Sequence, residues 1–179
     1  MISLTFVFWL FIIITGVIGL MRGWAKELLV VFSAVLALFI ISIFQRYVGI
    51  YQNLTVEPVT RFWTRTIIML GLAFFGYQTP AIKIFQAGAR REQVRDAIMG
   101  AGIGALNGYL VVGSVWSFLA EAGYQNFPTV LQTPAENSEL ALRAADMLSR
   151  MPPEFFLDKP ENIAIAIAIA FTFVVIVYV

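Results

Sequence analysis

The chain has 179 residues, 60% of them hydrophobic and only 13% charged, with a net charge of +1. Soluble domains run nearer roughly 45–50% apolar and about 25% charged, and so short a chain could not hide this much apolar surface in one wet core, so lipid is the expected solvent. With no cysteine and no histidine, disulfides, Cys/His metal sites, imidazole-held haem and histidine-based acid–base or triad catalysis are excluded, and the near-balanced charge gives no field for nucleic acid.

Five stretches carry no charged residue: Met1–Met21, Leu28–Gln45, Thr66–Ile82, Ala97–Ala120 and Asn162–Val179. A hydrocarbon core of about 30 Å needs roughly 17–25 residues of helix, and helix is the form in which a lone segment satisfies its own backbone in lipid. The expected fold is therefore an all-α membrane protein, a polytopic bundle with a four-span core and a C-terminal fifth transmembrane helix. Its divisions are a core over 1–120, a polar extracytoplasmic loop over 121–161 and the last span over 162–179.

The first segment lacks a basic n-region and is too long for a usual signal h-region, so it reads as a retained span. The short Arg22–Glu27 turn makes the first two spans an antiparallel hairpin, and two close-packed hairpins are expected overall. Thr66–Ile82 contains Gln78 and Pro80, and the first half of Ala97–Ala120 is glycine-rich. Within the long loop, Ser138–Met151 reads as a short amphipathic helix capped by Asn137 or Ser138. Leu140, Ala144, Met147, Leu148 and Met151 fall on one face, which either lies on the membrane or a partner or packs on the chain's own spans. Ile163–Ala170 alternates like a strand, but the following Phe171–Val179 and Pro160 at a first turn favour a helix. Trp9, Trp24, Trp63, Trp116 and Tyr178 are candidate interfacial anchors.

Basic residues set the orientation. The side with the Arg22 turn, the Lys83–Asp96 loop and the C-terminus carries six basic against three acidic residues, net +3, and the opposite side six against eight, net −2. The first side packs its six into shorter loops, so it is expected to be cytoplasmic and the N-terminus outside.

Two constellations stand out. Gly16, Gly19 and Gly23 share a helical face beside Arg22 and Glu27, at the expected junction of hairpin and water. Gly100, Gly104 and Gly108 repeat every fourth residue after Asp96, a small-residue stripe of the kind that lets helix backbones meet. Asn107 lies mid-span and needs a hydrogen-bond partner, worth about 0.6–2 kcal/mol; it could also line a polar path. The Arg90–Asp96 run is either a solvated helix start or a surface for anionic lipid.

These two motifs, Gly16-Val17-Ile18-Gly19-Leu20-Met21-Arg22-Gly23-Trp24-Ala25-Lys26-Glu27-Leu28 and Asp96-Ala97-Ile98-Met99-Gly100-Ala101-Gly102-Ile103-Gly104-Ala105-Leu106-Asn107-Gly108, resemble those of the colicin V production protein family over about residues 1–120. Thr5, Ala97, Met99 and Asn107 stand where that family carries other residues. The resemblance implies a bacterial inner-membrane protein linked to colicin V production, toxin secretion or envelope physiology, and implies no reaction.

The expectation is a non-enzymatic protein without catalytic, cofactor or metal site. Its expected partners are the lipid bilayer and other membrane proteins or further copies of itself, with no nucleic acid. Gly16, Gly19, Gly23, Gly100, Gly104 and Gly108 are the expected packing residues, and Arg22, Glu27, Asp96 and Asn107 the expected functional polar groups. A small channel or transporter using Asn107, Gln78 and Pro80, and an accessory subunit of a larger complex, are the alternatives.

Overall fold

The structure, a computed structural model, describes residues 4–78, 90–127, 139–157 and 159–178. Among these there is helix and no strand. In chain order the helices are α1 (Leu4–Arg22), α2 (Trp24–Tyr47), α3 (Gly49–Leu54), α4 (Pro58–Tyr77), α5 (Arg90–Ala122), α6 (Glu139–Leu148), α7 (Pro152–Phe156) and α8 (Pro160–Tyr178), with a 3-10 turn at Tyr124–Asn126. Three are long and apolar enough to cross a bilayer: α1, α2 and the Val94–Ala122 part of α5.

The boundaries have local causes. α1 stops at Arg22 because Gly23 takes a positive φ of 81°, a left-handed conformation that costs glycine nothing, and α2 starts one residue later. Pro58 opens α4, where its missing N–H is no loss. α4 thus begins eight residues before the uncharged run and holds Arg61 and Arg65 within the helix. Its C-terminal residue Tyr77 is followed by Gln78, whose N–H bonds back to the Phe74 and Phe75 carbonyls; residues 79–82 of the expected span, Pro80 among them, lie outside the described residues.

The apolar core lies between α2, α4, α5 and α8. Ala34, Leu38 and Ile41 of α2 meet Phe62 and Met69 of α4, Leu110 and Phe118 of α5, and Ile163 of α8. α1 stands apart from this core and packs mainly along α5. The expected pairing of α1 with α2 as a close hairpin is therefore corrected: a one-residue turn joins them, but the smooth glycine face of α5 is where the α1 backbone can come close.

The outward faces are greasy. Phe6, Trp9, Leu10, Ile13, Val17 and Leu20 of α1, Trp63, Ile67, Leu70 and Phe74 of α4, and Ile165, Ile169 and Phe171 of α8 are all exposed. So many large apolar side chains facing outward are unusual for a soluble monomer and are compatible with a membrane location.

The segment after α5 folds back on the bundle. Met151, Pro152 and Pro153 are buried, and Met151 joins Phe8 of α1 and Trp116 of α5 in a second apolar cluster against which Ala144, Met147 and Leu148 of α6 pack. The amphipathic face of this loop helix thus lies on the protein itself. The proposed caps Asn137 and Ser138 lie outside the described residues.

Candidate functional site

The α1–α5 seam is an antiparallel ladder. A Cβ placed on Gly19 would sit 2.8 Å from the Gly100 carbonyl carbon and 3.0 Å from Gly104 Cα, and one on Gly100 would sit 3.0 Å from Gly23 Cα. One on Gly104 would meet the Thr15 carbonyl oxygen, and one on Gly108 would lie 3.1 Å from Ile12 Cα. Since real Cβ atoms essentially never come within 3.0 Å of a backbone atom, Gly19, Gly100 and Gly104 are required by contact and Gly23 by its φ, while Gly108 is tight. Gly16 differs: its Cβ would meet Ala105 Cβ at 3.8 Å, an ordinary contact. The ladder ends at Phe8, whose ring packs tilted on Trp116 at 5.5 Å. Trp116 is therefore a core residue whose indole N–H donates to the Tyr124 hydroxyl at 3.0 Å, not an interfacial anchor. Burial pushes the Tyr124 phenol above its ordinary pKa, and the Trp116 hydrogen bond works against that rise.

At the Gly23 end the polar candidates converge. Glu27 is one turn inside α2 and 0% exposed, so it does not meet water at the hairpin. Arg22 Nη1 donates to Glu27 Oε1 at 2.9 Å and Arg22 Nη2 to the Tyr77 carbonyl at 3.1 Å, with the guanidinium 4.5 Å from the Tyr77 ring centre. Asn107, 1% exposed, donates through Nδ2 to Glu27 Oε2 at 2.7 Å and to the Glu27 carbonyl at 3.0 Å. One buried carboxylate thus ties α1, α2, α4 and α5 together. Burying a charge this way is tolerable because both carboxylate oxygens have donors, one of them cationic. Asn107 thus has its Nδ2 taken up by Glu27. Its Oδ1 is buried without a partner.

Asp96 does a separate job beside this cluster. Its Oδ1 accepts the Trp24 backbone N–H at 3.1 Å. This is an N-cap supplied by another helix: Gly23 has no side chain to cap α2, and a carboxylate at that position also suits the helix dipole.

The opposite end of the bundle holds a second cluster that the uncharged-run reading missed. Arg65 of α4, 7% exposed, forms an ion pair with Glu121 at the end of α5, and its Nε lies 2.8 Å from the side-chain oxygen of a suitably oriented Gln45. The guanidinium also lies 5.5 Å from the Phe118 ring centre. Arg61 reaches Glu121 at 3.2 Å and the Thr55 carbonyl at 2.8 Å. Tyr51 of α3 is buried beside Arg65; burial raises its phenol pKa and the guanidinium lowers it. The only sequence signal for this cluster was that Arg61 and Arg65 stand four apart just before an apolar run.

Along α2 the two clusters are separated by the eighteen residue steps from Glu27 to Gln45, roughly 27 Å at about 1.5 Å per residue. That spacing is close to the hydrocarbon thickness of about 30 Å. Among the described residues no group of three or more acidic side chains could hold a metal ion. Comparisons with protein-family models, with curated proteins and with solved structures find no match.

Proposed function

We propose that this chain is a five-span bacterial inner-membrane protein of the colicin V production type, with no enzymatic activity, that serves toxin production, secretion or envelope physiology through helix–helix and partner contacts. The observation that carries the reading is the α1–α5 seam. The two glycine motifs on which the resemblance rests meet there along their length, and the Arg22–Glu27–Asn107 cluster closes its end. Such a build suits a rigid scaffold presenting a fixed lipid-facing surface. In this proposal α4 is the third span in chain order and α8 the fifth, and their exposed apolar stripes continue the belt of α1. The Gly23 end faces the cytoplasm and the N-terminus the outside. Extraction in a mild detergent, followed by native gel and mass spectrometry, tests the partner contacts: co-migrating membrane proteins or a homo-oligomer support them, and a bare monomer counts against them.

A second reading, a small channel or transporter, is favoured by one observation: Glu27 and Arg65 are ionisable groups inside the bundle, where such groups commonly mark conduction paths. Liposome flux separates the two. Solute-specific flux that disappears in Asn107→Leu would establish transport over scaffolding.

A further inference from the structure

We infer that the Gly23 end of the bundle carries a binding surface for anionic phospholipid headgroups, with Lys26 and Arg95 as its principal cations. The inference rests on the membrane reading above and goes beyond it by naming a ligand. By sequence this end holds six basic residues (Arg22, Lys26, Lys83, Arg90, Arg91, Arg95) against three acidic ones (Glu27, Glu92, Asp96), a modest excess. The fold sharpens it. Glu27 is withdrawn into the interior, where Arg22 and Asn107 satisfy it, and Arg22 is spent on that pair. The Asp96 carboxylate is turned to the α2 N-terminus, where it accepts the Trp24 N–H. Two of the three acids therefore face protein.

Lys26 and Arg95 both lie within one helical turn of the Trp24–Asp96 hydrogen bond. Arg95 is exposed and Lys26 partly so, and neither forms an ion pair with a described side chain. The opposite end contrasts with this: Arg61 and Arg65 share Glu121, Arg143 pairs with Glu139 and Arg150 with Asp146. Four of the basic residues at that end are thus paired with carboxylates, whereas Lys26 and Arg95 at the Gly23 end face outward without one among the described residues. The flanking surface is apolar, with Met21 and Val94 both exposed, and the half-buried Trp24 stands two residues before Lys26, its backbone N–H bonded to Asp96 next to Arg95. Cations above an apolar, aromatic-flanked surface fit a phosphate whose acyl chains continue along the helices.

The test is a lipid titration of the purified full-length protein in neutral detergent, read by native mass spectrometry, after confirming that the protein stays in carbonate-washed membranes. Loss from those membranes would overturn the membrane reading and the lipid surface together. For a membrane-retained protein, phosphatidylglycerol is expected to bind more tightly than phosphatidylcholine. Lys26→Gln and Arg95→Gln should each weaken phosphatidylglycerol about fivefold and together on the order of 25-fold, with phosphatidylcholine unchanged. Arg143→Gln with Arg150→Gln should leave the preference intact. Equal binding of the two lipids, a double variant that keeps the preference, or full competition by inorganic phosphate would each overturn the assignment.

Discussion

Asn107 and Glu27 lie eighty residues apart in the chain, and the Asn107 amide donates to the Glu27 carboxylate at 2.7 Å. With Arg22 on the other carboxylate oxygen, this contact fixes the middle of α5 against α2 and, through Arg22, both α1 and the end of α4. Removing one member should leave the others buried and unpaired, and removal of one partner from a buried ion pair typically costs about 3–5 kcal/mol. Glu27→Ala is thus expected to lower the thermal unfolding midpoint in detergent sharply. Asn107→Ala should cost less, about 1–3 kcal/mol, because Arg22 still compensates the charge. Equal, small effects from both would contradict the arrangement.

The glycine seam makes a graded prediction. Gly104→Leu drives a side chain into the α1 backbone and should destabilise by about 3 kcal/mol or more, whereas Gly16→Ala, with an ordinary contact available, should stay within about 0.5 kcal/mol. Gly102, whose Cβ would meet nothing within 4 Å, should accept alanine and gain slightly from helix propensity. Unfolding midpoints of the three variants in one detergent check the order.

Asp96 caps a helix to which it does not belong. Asp96→Ala should cost about 1 kcal/mol, the usual worth of an N-cap, and Asp96→Asn, which keeps an acceptor, should recover most of it. Amide hydrogen exchange over the first turn of α2 is the direct readout: faster exchange at Trp24 in the alanine variant is expected, with the asparagine variant close to the wild type.

At the far end, Arg65 holds Glu121 and Gln45 with a planar, multidentate guanidinium. Arg65→Lys supplies one charge but cannot reach both partners in this geometry, so it should destabilise by about 1–3 kcal/mol. Arg61→Lys, at a more exposed position, should cost under about 1 kcal/mol. The same detergent-melt assay separates them.

The contrast between these residues shows what the chain discloses before folding. Helices α1, α2 and α5 are legible because hydropathy over about 20 residues is a local property. The stripe of Gly100, Gly104 and Gly108 is legible because its period is that of a helix. Which helix fills the stripe is not local. The short Gly23 turn suggested α2, and the tight approach to α5 settled on α1 instead, through contacts some eighty residues distant. Charged residues misled in a consistent way. By sequence Glu27, Arg61 and Arg65 mark the edges of spans, yet α2 and α4 extend past the uncharged runs and bury Glu27 and Arg65 against partners that no single segment reveals. Residue type alone marks Trp116 as an interfacial anchor, while in the fold Phe8, Met151 and Tyr124 enclose it.

The central claim, that α1 packs along α5 through its glycine face within a membrane, can be tested most directly by cross-linking. The chain contains no cysteine, so an introduced pair has no background. A Cβ on Gly16 would stand 3.8 Å from Ala105 Cβ, the usual Cβ separation of a disulfide, about 3.5–4.5 Å. Oxidation of a Gly16→Cys, Ala105→Cys double variant in carbonate-washed membranes is expected to give a nearly complete intramolecular disulfide. Failure of that pair to form, with the protein still held in the membrane, would contradict the packing on which this account is built.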